Sequence, residues 1–172
     1  MAGAVRFREA GPADALCMGV LAMQVYLDTY ATEGIRPDLA RDVLAGYSPD
    51  AYAQRLAQTG RLGVLAEHAG HLIGFAELLL HSPCVVDAVH CTAELDRLYL
   101  QRPFQRQGIG AALLRQAEQM AAGLGQPGLW LTAWVGNASA LAFYPRQGYR
   151  AVGTALHWIE GRAYDNVVFT NV

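Results

Sequence analysis

Between Ala93 and Leu124 the chain runs A-E-L-D-R-L-Y-L, then Q-R-P-F, then Q-R-Q-G-I-G, then an amphipathic stretch beginning A-A-L-L-R-Q. This order reads as a strand, a tight turn and a helix opened by two glycines. The N–H groups of a first helical turn have no partners inside the helix, and the helix dipole adds roughly half a positive charge at the same end. Such an end can hold a phosphate or pyrophosphate with the main chain alone. That matters here because the chain has no lysine and all 13 basic side chains are arginine. A P-loop lysine and a Schiff-base lysine are therefore excluded. A dinucleotide fold is disfavoured as well. It wants G-x-G-x-x-G after the first strand and an acidic residue about 20 positions on, whereas this turn follows the fourth strand.

The length of 172 residues fits one domain, residues 1–172, and 53% apolar with 16% charged residues describes a well-cored globular chain. A net charge of -2 offers no basic stripe for nucleic acid. No apolar run approaches the roughly 18–20 residues of a membrane span, and Met1 to Ala10 carries charges rather than the apolar core of a signal peptide. Three cysteines, Cys17, Cys84 and Cys91, do not make a disulfide framework, and a reducing cytoplasm is the expected setting.

Alternation and turn residues predict strands over Val5–Glu9, Arg61–His68, His71–Leu80, Ala93–Leu100, Leu129–Val135, Tyr149–Ile159 and Arg162–Thr170. Ala69-Gly70 and Glu160-Gly161 read as hairpin links. A helix begins at Pro12, with Leu16, Val20, Met23, Leu27 and Tyr30 as its packing face and Cys17 as a packing residue. Ala31–Gly46 reads as irregular, and Ser48-Pro49 opens a short helix to about Gln58. The helix from Gly108 has a buried stripe of Ile109, Leu113, Ala117, Met120 and Leu124. Asn137 caps a further helix through Tyr144.

The glycine turn alone is weak evidence, because such a turn between strand and helix can exist with no ligand. Its context carries more. With the later N-A-S-A-L-A-F-Y-P-R-Q-G-Y, the segment resembles the GNAT superfamily of acyl-CoA-dependent N-acetyltransferases. The family pattern is Gln or Arg, two residues, Gly, one residue, then Gly or Ala. An Asn-headed helix ending in Phe-Tyr follows downstream. The resemblance implies an α/β (α+β type) fold, a mostly antiparallel mixed sheet with helices on both sides, and acetyl-CoA as co-substrate with no metal.

By the same resemblance Gln105 heads the pyrophosphate turn. The amides of Gln107, Gly108, Ile109 and Gly110, with Arg106 and Ala111 at the margins, hold the phosphates. The edge Leu98-Tyr99-Leu100 pairs with the pantetheine arm, and one of its N–H groups polarises the thioester carbonyl. Asn137 and Arg146 add contacts to coenzyme A; a helix cap and a solvated arginine are the plainer readings. Arg106 stands where many relatives carry glycine.

Acetyl transfer to an amine needs the neutral amine, which at pH 7 is about one part in a thousand of a primary ammonium with pKa near ~10.4. A base is required. Glu94 fills that role by resemblance, with Asp96 and Glu77 as alternatives and a pairing with Arg97 as the purely structural reading. Tyr144 is the family's acid toward the coenzyme A thiolate, or else a core tyrosine. Pro145 inside that helix predicts a kink or an end at Tyr144. Tyr26, Tyr30 and Glu33 lie where the family covers the acceptor. The segments D-T-Y-A-T-E-G-I-R-P-D-L-A and E-L-D-R-L-Y-L resemble bacterial members of the family with small-amine or polyamine acceptors, which implies such an acceptor here; a peptide N-terminus or lysine is the alternative, and a non-catalytic acyl-CoA-binding domain the reading from another class. A homodimer through the late strand pair is the family habit. His81, Cys84, Asp87, His90 and Cys91 do not fit usual zinc spacing.

Overall fold

The computed structural model describes residues 4–172; Met1 to Gly3, the first residues of the stretch weighed as a signal peptide, lie outside it. In chain order the elements are β1 (Val5–Glu9), a 3-10 turn (Pro12–Asp14), α1 (Ala15–Tyr30), α2 (Pro37–Tyr47), α3 (Pro49–Leu56), β2 (Arg61–His68), β3 (His71–Leu80) and β4 (Ala93–Leu100). A second 3-10 turn (Arg102–Phe104) leads to α4 (Ile109–Gly123), β5 (Trp130–Trp134), α5 (Ala138–Arg146), β6 (Arg150–Ile159) and β7 (Arg162–Thr170).

One seven-stranded sheet runs β1-β2-β3-β4-β5-β7-β6, antiparallel except between β4 and β5. Its central strands are buried on both faces, which is why β2 and β3 carry near-continuous apolar runs. On one face α4 sets Ile109, Leu113, Leu114 and Ala117 against Val64, Ala76 and Leu95. On the other, α1, α2 and α3 set Met18, Leu39 and Tyr52 against Leu65 and Phe75. The mixed sheet with helices on both sides is the architecture the sequence leads one to expect. At both hairpin links the two residues have positive φ: Ala69 and Gly70 at 51° and 80°, Glu160 and Gly161 at 44° and 81°. That matches the twist of the joined strands.

Four expectations need correction. The packing face of α1 is Ala15, Met18, Leu21, Ala22 and Tyr26, while Leu16 and Val20 are 58% and 56% exposed and Cys17 is exposed. The helix is apolar almost all round, so spacing alone does not choose its face. Gly19 chooses it, because a Cβ there would lie 2.6 Å from the Tyr47 carbonyl oxygen. Residues 37–47 are helical rather than irregular. Pro37 sits at the first helical position, where a missing N–H costs nothing, and Leu39, Val43 and Tyr47 are buried on one helical face. Pro145 does not end α5, which continues to Arg146. In the stripe of α4, Leu124 falls beyond the helix and is 54% exposed.

Candidate active site

The sheet opens where β4 leaves β5. The two strands share a single paired position, Glu94 with Trp130, and diverge beyond it. On its other side β4 stays paired with β3 as far as Leu100 opposite Gly74. The Gln101 N–H donates across that ladder to the Ile73 carbonyl at 2.9 Å. Since N–H groups alternate sides along a strand, those of Leu98 and Leu100 face away from β3, toward the opening. The side of Tyr99 in this edge points to the α1–α3 face, where it lies 5.5 Å from Phe75.

The strand ends in the glycine turn. From Arg106 to Ala111 no main-chain N–H has an acceptor among the described residues, and the first bond of the helix is Ala112 N–H to Gly108 O at 3.0 Å. Arg106 and Gly108 both have positive φ, 61° and 79°, with Gln107 between them. Such a succession turns neighbouring N–H groups into one concavity, an anion nest. A Cβ on Gly108 would meet nothing within 4 Å, so glycine is required there by conformation rather than by packing. On Gly110 a Cβ would sit 3.9 Å from Phe143 Cε2 and 4.0 Å from Leu100 Cδ2. A methyl there would make ordinary contact with both. Ile109, between them, is buried and anchors the helix to the core.

Gln105, the head of the motif, is tied to the protein itself: its side-chain amide donates to the Leu100 carbonyl at 2.9 Å and its N–H to Arg102 O at 3.1 Å. It braces the turn against the end of β4. Arg106 and Arg146 are exposed. Asn137 caps α5, its Oδ1 accepting from the Ala140 N–H at 3.1 Å.

Tyr144 is buried among Phe143, Tyr149 and Phe169, with ring centroids 5.2–5.8 Å away. Its hydroxyl has no partner among the described residues and is not sealed from the surface. Burial pushes this phenol above its ordinary pKa. The hydroxyl therefore keeps its proton and can donate a hydrogen bond.

The three carboxylates that compete for the role of base are separated by their surroundings. Glu77 is fully buried and accepts from Tyr52 Oη at 2.6 Å, from Arg55 Nε at 2.5 Å and from Arg61. Asp96 accepts from Arg61 Nη1 at 2.6 Å, from Arg97 Nη1 at 2.9 Å and from Arg55. An ion cluster thus joins α3, β2, β3 and β4. Asp96 is the extra residue of a bulge in β4, since Arg97 pairs with Glu77 and Leu95 with Leu78. The bulge turns Asp96 and Arg97 to the same face, which brings both into the cluster. Burial and the Asp96 charge push Glu77 up to about 7, against the hydrogen bond from Tyr52 and the charge of Arg61.

Glu94 is different. It accepts a hydrogen bond from Ser82 Oγ at 2.7 Å on Oε2, its other oxygen has no partner among the described residues, and it forms no ion pair there. Burial pushes its pKa up, the Ser82 hydrogen bond pulls it down and Asp96 pushes it up again. It is a half-buried carboxylate with one oxygen anchored and one free.

On the face shared by Glu94 and Asp96, aromatic rings gather at the far end of the opening. Tyr30 stacks on Trp134 at 5.3 Å and stands edge-on to Tyr164 at 5.5 Å. Burial pushes the Tyr30 phenol up to about 12. Tyr26 lies behind Tyr30, 3% exposed, its hydroxyl donating to Asp42. Glu33 is exposed in the link between α1 and α2. Trp134 and Tyr164 are additions to the residues named from sequence; their only signal was an aromatic side chain on a strand, at the end of β5 and as the third residue of β7.

Cys84 and Cys91 are buried with Trp130 and Val168, and His81 and His90 are exposed. No helix among the described residues is long and apolar enough to cross a membrane.

The model of the Acetyltransferase (GNAT) family matches residues 29–149. An uncharacterised N-acetyltransferase of Mycobacterium bovis is 30% identical over 116 residues, 67% of this chain and 70% of its own. Among solved structures, the PaiA N-acetyltransferase of Thermoplasma acidophilum in complex with coenzyme A resembles this chain over 95% of its length and 98% of that protein's, with TM-score 0.77 and 22% identity. A ribosomal-protein-alanine N-acetyltransferase from Brucella melitensis covers 97% of this chain and 99% of its own, with TM-score 0.71 and 21% identity. At such identities the two structures show a shared fold.

Proposed function

The chain belongs to the acetyltransferase (GNAT) family and is an N-acetyltransferase that uses acetyl-CoA, and from that premise we propose that it acetylates a small primary amine, polyamines included, by direct transfer. The observation that carries the site assignment is the run of N–H groups without acceptors from Arg106 to Ala111. In this reading those groups take the pyrophosphate, with Asn137 and Arg146 alongside. The pantetheine arm lies along Leu98-Tyr99-Leu100, and an N–H of that edge holds the thioester oxygen as negative charge develops.

Glu94 is the general base of this proposal. Four residues at about 3.3 Å each separate it from Leu98, so the proton leaves the amine for Glu94 through water. Glu77 and Asp96 are held by arginines and serve the fold. Tyr144 donates a hydrogen bond to the sulfur as coenzyme A leaves. Aromatic rings at Tyr30, Trp134 and Tyr164, with the carboxylate of Glu94 free of arginine on the same side of the sheet, support a compact amine as acceptor. Tyr26 supports Tyr30 from behind, and Glu33 lies at the rim. We further propose one catalytic domain, a cytoplasmic setting in keeping with three free cysteines, and a homodimer through the β6 edge, where Leu156 and Trp158 are 56% and 60% exposed.

The test is thermal stabilisation by acetyl-CoA, then thiol release across a panel of small amines, polyamines and peptides. Turnover with small amines is expected. Turnover confined to peptides would overturn the acceptor assignment, and absence of any stabilisation by acetyl-CoA would remove the site.

A further inference from the structure

The link from β3 to β4 contains one residue whose three polar groups are all committed. The Ser82 N–H donates to Thr92 O at 3.0 Å, its carbonyl accepts from Trp130 Nε1 at 2.8 Å, and its hydroxyl donates to Glu94 Oε2 at 2.7 Å. Trp130 is also the residue paired with Glu94 across the single rung between β4 and β5. The indole, the serine and the glutamate therefore form one hydrogen-bonded chain at the point where the sheet begins to open. His81, just before, has a φ of 60°, and Pro83 follows, so the backbone presenting the hydroxyl has little freedom.

We propose that Ser82 is a positioning residue for acetyl transfer, holding Glu94 so that Oε1 faces the opening as the proton acceptor. The inference rests on Glu94 being the base. Two physical effects follow from one hydrogen bond. It fixes the carboxylate rotamer, so the free oxygen keeps its aim. It also favours the ionised form and so counters the burial that favours the neutral acid. Without Ser82 the carboxyl would be protonated at a higher pH and its aim would be lost.

The experiment is the pH profile of kcat/KM for an amine acceptor. Ionisation of the amine gives a slope of about one below its own pKa, and protonation of Glu94 adds about one more below the carboxyl pKa. The break between the two slopes reads Glu94 directly. Ser82→Ala is expected to move the break up by roughly one pH unit, with acetyl-CoA binding unchanged. Ser82→Thr restores the hydroxyl and is expected to bring the break back. If Ser82→Ala does not fold, Ser82→Cys, of similar shape with a weak donor, is expected to shift the break the same way.

Glu94→Gln separates the two readings. It is expected to abolish the break, and adding Ser82→Ala to it should then change nothing further. A break that survives Glu94→Gln would remove Glu94 as the base. A break lost with Glu94→Gln but unmoved by the serine variants would overturn the role of Ser82 alone.

Discussion

Replacing Arg106 by glycine should make the protein more stable and leave its hold on acetyl-CoA nearly unchanged. Arg106 has a φ of 61°, where an L side chain crowds its own carbonyl at a cost of about 1–2 kcal/mol. Glycine removes that cost but gives the unfolded chain roughly 0.4–1 kcal/mol of extra freedom. The balance is a gain of about 0.5–1 kcal/mol. For a chain of 172 residues, at roughly 2–4 °C per kcal/mol, the melting temperature should rise by about 1–4 °C. Gly108→Ala is the converse. Its φ is 79° and no atom lies within 4 Å of the new methyl, so the same arithmetic runs backwards and the melting temperature should fall by about as much. Circular dichroism melts of the free protein read both changes. Calorimetric titration with acetyl-CoA reads the rest. The pyrophosphate is assigned to main-chain amides and Arg106 is exposed, so its affinity should change by less than about fivefold, the range of a surface ion pair. A lower melting temperature for Arg106→Gly would refute the conformational argument. A loss of affinity beyond about tenfold, or 1.4 kcal/mol, would show that the guanidinium, not the main chain, carries the phosphate.

With Tyr144 proposed to donate a hydrogen bond to the developing thiolate, worth about 1.5–3 kcal/mol, Tyr144→Phe should lower kcat by roughly 10- to 100-fold while acetyl-CoA affinity changes little. Unchanged kcat with chemistry rate-limiting would dismiss the tyrosine. Gly19→Ala places a methyl 2.6 Å from the Tyr47 carbonyl and should destabilise the fold by about 1–3 kcal/mol, read by denaturant melts. Leu16→Ser, on the exposed side of the same helix, should stay within about 0.5 kcal/mol of the parent. Activity should fall on acidification at a pH above the ordinary carboxylate range, because burial raises Glu94 and only its ionised form takes a proton. A profile that broke only near pH 4 would contradict this.

Much of this architecture is legible in local chemistry. Strand limits follow from turns such as Ala69-Gly70, where two consecutive residues must take positive φ. The cap at Ser48 follows from a serine before a proline, and its hydroxyl does accept the Ala51 N–H, at 3.3 Å. The turn before α4 is legible because at Gly108 glycine is demanded by backbone geometry, which sequence records directly. Other features are written in distant contacts. Nothing near Leu16 tells which side of α1 is buried; the carbonyl of Tyr47 decides it. Pro37 and Gly46 look like breakers, yet one opens α2 and the other rides its last turn. The partners of Glu77 come from Arg55 and Arg61, on elements that no short-range pattern connects. Sequence spacing leaves Glu94, Asp96 and Glu77 as rivals, and only the arginines around two of them distinguish the third.

The single rung between β4 and β5 has a mechanical consequence. It makes the sheet two leaves, β1 to β4 and β5 to β6, hinged at Glu94 and Trp130 and otherwise held together by the side chains packed between them. A pantetheine arm lying in the cleft would act as a removable eighth strand, bonded to one leaf and wedged against the other. Amide exchange in β5 and β7 should then slow on acetyl-CoA binding although neither strand touches the phosphates.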